Sequence, residues 1–108
     1  MVKEAGILDV SFGALAHPVR RTIVERLAHG PATVGQATVD LPVSKPAISK
    51  HLKVLEQAGV VVRAVEGRTH RLTLDERPLA DASAWMERQR ELWERKLDVI
   101  EEYLEERK

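Results

Sequence analysis

The last third of the chain most restricts what it can fold into. From about Pro78 to Arg107 a helical pattern runs without interruption. Leu79, Met86, Trp93 and Ile100 recur at intervals of seven, and Trp85, Leu92 and Val99 form a second line at the same interval. Leu97 and Leu104 widen the stripe. At about 1.5 Å per residue such a helix is a rod of roughly 42 Å. A domain of about 100 residues, with a radius of gyration near ~13 Å, is only roughly 30 Å across. The helix therefore outruns the body it belongs to, and a second copy of the chain is expected to cover its apolar stripe.

Composition narrows the class. A chain of 108 residues fits one domain spanning 1–108, and 44% hydrophobic with 31% charged residues is the balance of a folded chain. With no cysteine, disulfides, thiolate metal sites and thiol redox chemistry are excluded. No apolar run approaches the roughly 18 residues a membrane span needs, and Met1 to Asp9 lacks the pattern of a signal peptide. A soluble, cytoplasmic protein with no membrane partner is expected. The formal charge is zero, yet its distribution is uneven. Residues 1–16 carry −1. Residues 17–71 hold nine Lys+Arg against four Asp+Glu, a net +5, and residues 72–108 hold seven against eleven, a net −4. A basic body is joined to an acidic helix.

Glycine and proline divide that body. Leu8, Phe12 and Leu15 mark a short first helix from about Ile7 to Ala16. Pro18 suits the first turn of a second helix that runs to about His29, with Val19, Ile23, Val24 and Leu27 inward and Gly30-Pro31 as its stop. Thr33 is placed to cap a short third helix, Val34 to about Leu41. Ser44 is placed to cap a fourth, Lys45 to about Ala58, which Gly59 ends. Its buried stripe is Ile48, Leu52 and Leu55, and its opposite arc carries Lys45, Pro46, Ser49, Lys50, Lys53 and Glu56. Val60–Glu66 and Thr69–Leu74 then read as a β-hairpin turning at Gly67. Val62 and Ala64 are expected on one face of the first strand, with Leu72 and Leu74 sharing a face of the second. Arg63, Thr69, Arg71 and Thr73 are expected on the other face.

Three helices followed by a hairpin is the order of a winged helix-turn-helix, so the expected fold is mainly α (α+β). About five helices carry a two-stranded wing between the recognition helix and the long C-terminal helix. The helix-turn-helix occupies about 33–58, the wing about 60–74 and the C-terminal dimerisation helix about 78–107. The B-DNA major groove, about 12 Å wide, admits one helix, whose N-terminal side chains meet base edges. Here those positions hold Ser44, Lys45, Pro46, Ser49 and Lys50, with Lys53 further along. Lysine donates to guanine acceptors or phosphate, serine to either, and proline offers an apolar face to a thymine methyl. Arg68 at the hairpin tip suits an adjacent minor groove. Thr33 is first a cap, with a phosphate contact as a second role. His51 lies at the edge of the buried stripe, where a structural hydrogen bond and a base contact are both open.

At these residues the chain resembles a known family. Leu41-Pro42-Val43-Ser44-Lys45-Pro46-Ala47-Ile48-Ser49-Lys50-His51-Leu52-Lys53-Val54-Leu55, then Ala58-Gly59-Val60-Val61 and Glu66-Gly67-Arg68, is similar to the ArsR family of bacterial winged-helix regulators. Leu15-Ala16-His17-Pro18-Val19-Arg20-Arg21 resembles that family's entry into its second helix, where Asp often precedes the Pro and His stands here instead. The similarity covers about Phe12 to Leu74. It implies a homodimeric DNA-binding repressor whose first and last helices form the dimer interface, which points to Leu8, Phe12, Trp85, Met86, Leu92, Trp93, Leu97 and Ile100. Metal-sensing members carry Cys-x-Cys-Asp on the third helix, or His and carboxylate ligands on the last. Here the third helix reads Val34-Gly35-Gln36-Ala37-Thr38-Val39-Asp40, and no histidine follows His70. His17, His29, His51 and His70 never fall at i, i+3 or i, i+4, so no metal and no cofactor is expected.

Other classes fare worse. Trp85, Trp93 and Tyr103 hold three of the four aromatics and all lie in the last helix, so the helix-turn-helix and wing contain none. Single-stranded nucleic acid and most RNA are recognised on aromatic platforms, which favours double-stranded DNA as the partner here. The aromatic stripe itself suits dimer packing, with an apolar pocket for a small-molecule effector of unidentified class as the alternative. No phosphate loop, nucleophile elbow or metal-ligand pair supports an enzyme. The alternative from another class is a winged-helix module that acts mainly through protein association by its C-terminal helix.

Overall fold

The computed structural model describes residues 3–106. In chain order the elements are α1 (Lys3–Ala14), α2 (Pro18–Leu27), β1 (Ala32–Thr33), α3 (Val34–Thr38), α4 (Lys45–Gln57), β2 (Val61–Glu66), β3 (Thr69–Leu74) and α5 (Glu76–Glu106). The expected end of the last helix at Arg107 lies outside the described residues. Helix starts follow local chemistry. His17 Nδ1 accepts from the Val19 N–H at 3.1 Å and caps α2. Thr33 and Gln36 close a capping box on α3, the Thr33 N–H donating to Gln36 Oε1 at 2.9 Å and the Gln36 N–H to Thr33 Oγ1 at 3.1 Å. Ser44 Oγ accepts from the Ala47 N–H at 3.3 Å at the head of α4. At its foot Gly59 takes φ +75, the Val60 N–H returns to the Leu55 carbonyl and the Gly59 N–H to that of Glu56. Those two bonds form the paired closure that glycine makes cheap.

The third helix is shorter than its pattern suggests. It stops at Thr38 rather than near Leu41. Arg26 from α2 donates Nη1–H to the carbonyls of Ala37 and Val39 at 3.2 and 2.7 Å, Asp40 turns into the left-handed region at φ 60, and Leu41 precedes a proline, which disfavours helix. Aspartate tolerates that conformation better than branched residues do. Asp40→Val is therefore expected to lower the unfolding free energy by about 1–2 kcal/mol, while Asp40→Gly should cost nothing in the same denaturant titration.

The sheet has three strands in the order β1-β3-β2, all antiparallel. β1 is an addition to the two-stranded hairpin: Ala32 pairs with Leu72 and Thr33 with Arg71. The phase of β2 corrects the expectation for its faces. Val61 is buried and Arg63 half-buried, whereas Val62 is 52% exposed and Ala64 is exposed. Arg63 pairs across the ladder with Leu72, and Val62 with Thr73, so Val61 and Arg63 share the inner face with Leu72 and Leu74. The inward arginine is compatible with that face because it is partnered there. Its Nε donates to Glu56 Oε1 at 2.5 Å and its Nη1 lies 3.1 Å from His70 Nδ1. β3 faces as expected, and Gly67 at φ +63 supplies the first position of a II′-like turn.

Ile23 from α2, Leu52 and Leu55 from α4, Val60 and Leu72 close the core almost completely, with Ala37 from α3 beneath them. α1 packs on α5, where the Phe12 and Trp85 rings meet edge-on at 5.9 Å. Beyond that contact α5 leaves the body. Its 31 residues stretch the protein to 69 × 32 × 23 Å and a radius of gyration of 19.0 Å, against about 13 Å for a compact domain of this size.

Candidate nucleic-acid interface

Ser44 begins α4, and Lys45, Pro46, Ser49, Lys50 and Lys53 are all exposed on it. Its only acidic residue, Glu56, is held by Arg63 on the sheet side. The solvent arc of the helix thus carries lysines and no free carboxylate, with the partial positive charge of its N-terminus added at Ser44. Ser44→Ala should destabilise the protein by about 1 kcal/mol by removing the cap, measurable as a lowered denaturation midpoint.

Thr33 and Arg68, far apart in sequence, line one cleft of about 500 Å³ between α3 and the hairpin. Val34, Gly35, Arg63, Thr69 and His70 complete it. The sequence does not place Arg63 and His70 in this cleft, because strand residues in isolation reveal no partners. Alternation about a buried charge (Val61, Arg63, Val65) was the only available signal. Arg68 itself is exposed at the tip, as a groove contact requires.

His51 differs from its neighbours on α4. Its ring lies 4.3 Å from that of His17, and its Nδ1 is 3.1 Å from Arg20 Nη1. Arg20 is anchored in turn by donating to the carbonyls of Ala14 at 2.7 Å and Gly13 at 3.1 Å. Burial, and then the charges of His17, Arg20 and Lys50, hold the His51 imidazole below its ordinary pKa. A structural hydrogen bond therefore occupies the one ring nitrogen that faces α2.

The interface candidates divide into two groups. Leu8 is 8% exposed and Phe12 half-buried, both already covered by their own chain. Trp85, Met86, Leu92, Trp93, Leu97 and Ile100 are exposed on α5, Trp93 at 61%. Tyr103 and Leu104 continue that apolar face. Arg90, seven residues before Leu97 and so at the border of that face, bridges Glu87 and Glu94 in a surface ion-pair chain. Among the described residues no helix is long and apolar enough to cross a membrane.

A capped helix-turn-helix, a hairpin behind it and a basic outward arc together define a winged-helix DNA-binding protein of the transcription-regulator class. The helix-turn-helix domain family matches residues 15–64. The chain is 51% identical over 72 residues to the HTH-type transcriptional regulator Rv2034 of Mycobacterium tuberculosis, covering 67% of each chain. It is 36% identical over 75 residues to the transcriptional repressor SdpR of Bacillus subtilis, covering 69% of this chain and 83% of that protein. Among solved structures, an ArsR-like transcriptional regulator from Rhodococcus sp. RHA1 superposes with a TM-score of 0.76 at 30% identity, covering 94% of this chain and 95% of that one. The crystal structure of another ArsR family transcriptional regulator gives a TM-score of 0.79 at 34% identity over 87% and 97% of the two chains. The chain belongs to the ArsR family of winged-helix transcriptional regulators. It is a DNA-binding regulator and not an enzyme, and it lacks the cysteine motif of the family's metal sensors.

Proposed function

We propose that the protein is a homodimeric repressor, acting in the cytoplasm, that occludes a roughly palindromic operator in double-stranded DNA. The observation that carries this is the α4 surface. Ser44, Lys45, Pro46, Ser49, Lys50 and Lys53 face solvent together, and the helix's one carboxylate is withdrawn to Arg63. In the complex α4 enters the major groove, Arg68 reaches the neighbouring minor groove, and Thr33 adds a phosphate contact beside its cap. The uncovered stripe of α5, from Trp85 through Ile100, supports pairing of two copies, aided by Leu8 and Phe12 beneath it. Two-fold symmetry then places two recognition helices one turn of DNA apart, about 34–36 Å, or a multiple of that. Metal and cofactor have no part in this function, and an effector, where one acts, is a small molecule or a partner protein.

A salt series on a duplex from the protein's own promoter tests the proposal. Affinity should fall steeply as salt rises, because each phosphate contact releases counterions. Absence of binding to any promoter fragment, with the dimer intact, would leave the protein-association module acting through α5 as the better account.

A further inference from the structure

Two histidines and an arginine meet where α2 begins and α4 passes it, and the hydrogen bonds they make fix their protonation. Arginine only donates, so the contact between Arg20 Nη1 and His51 Nδ1 at 3.1 Å requires a lone pair on that nitrogen, which puts the ring proton on Nε2. The cap of α2 makes the same demand of His17, whose Nδ1 accepts from the Val19 N–H. Both contacts therefore need the neutral Nε2–H tautomer, and the two ring centres lie 4.3 Å apart with their planes tilted by 44°.

We propose that His17 and Arg20 are positioning residues for the recognition helix, and that they hold α4 through His51 only while both imidazoles are neutral. This inference deepens the DNA-binding proposal and rests on it only for its second readout. A proton on His51 turns the acceptor facing Arg20 into a donor facing a donor. A proton on His17 removes the cap of α2. Either adds positive charge to a site where, among the described residues, the groups acting on His51 are all cationic or imidazole: His17 from the turn before α2, Arg20 on α2 and Lys50 on α4. Burial and these neighbours lower the His51 pKa from 6.5. The unfolded chain therefore takes the proton first. The stabilisation is complete above about pH 6.5 and is lost as pH falls below it. The tether meets α4 between Lys50 and Leu52, among the residues that would read DNA, so its loss is felt there.

Imidazole nitrogen NMR and backbone amide shifts, recorded on the full chain from about pH 8 to about pH 5, test this directly. Both rings should appear as Nε2–H tautomers at neutral pH, His51 should titrate below 6.5, and the amides of Val19 and residues 49–53 should move with it. His17→Asp keeps a capping side chain but places a carboxylate beside His51, and should raise the His51 midpoint above its wild-type value. On a labelled duplex from upstream of the gene, the ratio of wild-type to His17→Asp affinity should fall about threefold or more between about pH 7.5 and 5.5. If His17→Asp loses helical content, His17→Asn caps without charge and should raise the midpoint by a smaller amount. A His51 that titrates at or above its ordinary value while the α4 amides stay still overturns the proposal. So does an affinity ratio that stays flat or rises in acid, as it would if His51 met phosphate directly. Failure of both proteins to bind the duplex at neutral pH would overturn the DNA-binding proposal instead, leaving the NMR readout to decide this one.

Discussion

In the proposed homodimer, replacing Trp93 with alanine should separate the two copies while leaving each protomer folded. Trp93 is 61% exposed on α5, with the Lys96 ammonium 5.3 Å from its ring centre. The protomer therefore loses little when the ring is removed. A second copy laid along α5 would bury that ring, and truncating a buried aromatic anchor at the centre of an interface costs about 2–4 kcal/mol. The dissociation constant should rise about 30- to 1000-fold, read as mass against concentration by sedimentation, with thermal unfolding of the protomer nearly unchanged. A Trp93→Ala protein that remains dimeric at nanomolar concentration would show that the stripe from Trp85 to Ile100 is covered in some other way.

Lys50→Ala and Lys53→Ala should have their effect on DNA and nowhere else. Both side chains are exposed, on the arc of α4 that carries no acid, and neither belongs to the core of Leu52 and Leu55. A lysine that meets a base edge is worth about 1–3 kcal/mol, which is about five- to 150-fold in affinity. One that meets a phosphate shifts all sequences alike and lowers the salt slope by about 0.9. Titrations at several salt concentrations against operator and unrelated duplex distinguish the two roles, with dimer mass as the control. Unaltered affinity in both variants would remove α4's basic arc from the interface.

Local signals in the sequence were reliable where a single residue determines local geometry. Ser44 acts on the adjoining turn through its hydroxyl, Gly59 and Gly67 through their own backbone, and α4 and the hairpin fall where these residues place them. The long helix was legible because its apolar spacing repeats over many turns. Features that depend on partners distant in sequence were not. β1 is two residues with no periodicity of their own, and it becomes a strand only by pairing with Leu72 and Arg71. The faces of β2 were inverted because a charged residue reads as outward unless its partners are known, and Glu56 and His70 lie on other elements. The end of α3 depends on Arg26, more than ten positions earlier. For His51 the sequence leaves a structural hydrogen bond and a base contact both open, because the partner of the first, Arg20, lies 31 positions away.

The short strand β1 has a mechanical effect larger than its size. It pairs the residue that caps α3 with the central strand of the sheet, Thr33 against Arg71, while Arg63 ties the hairpin to Glu56 on α4. Three surfaces that would touch a duplex are thus fastened to one frame before any duplex arrives. A hairpin hinged freely on the body would have to be immobilised on binding, losing affinity to the ordering of its backbone and side chains. Here that loss of freedom belongs to folding. In the proposed homodimer, what remains adjustable is the angle between one such frame and its twin, set along the shafts of two α5 helices, and an effector that loosened the grip on DNA would have its greatest leverage there.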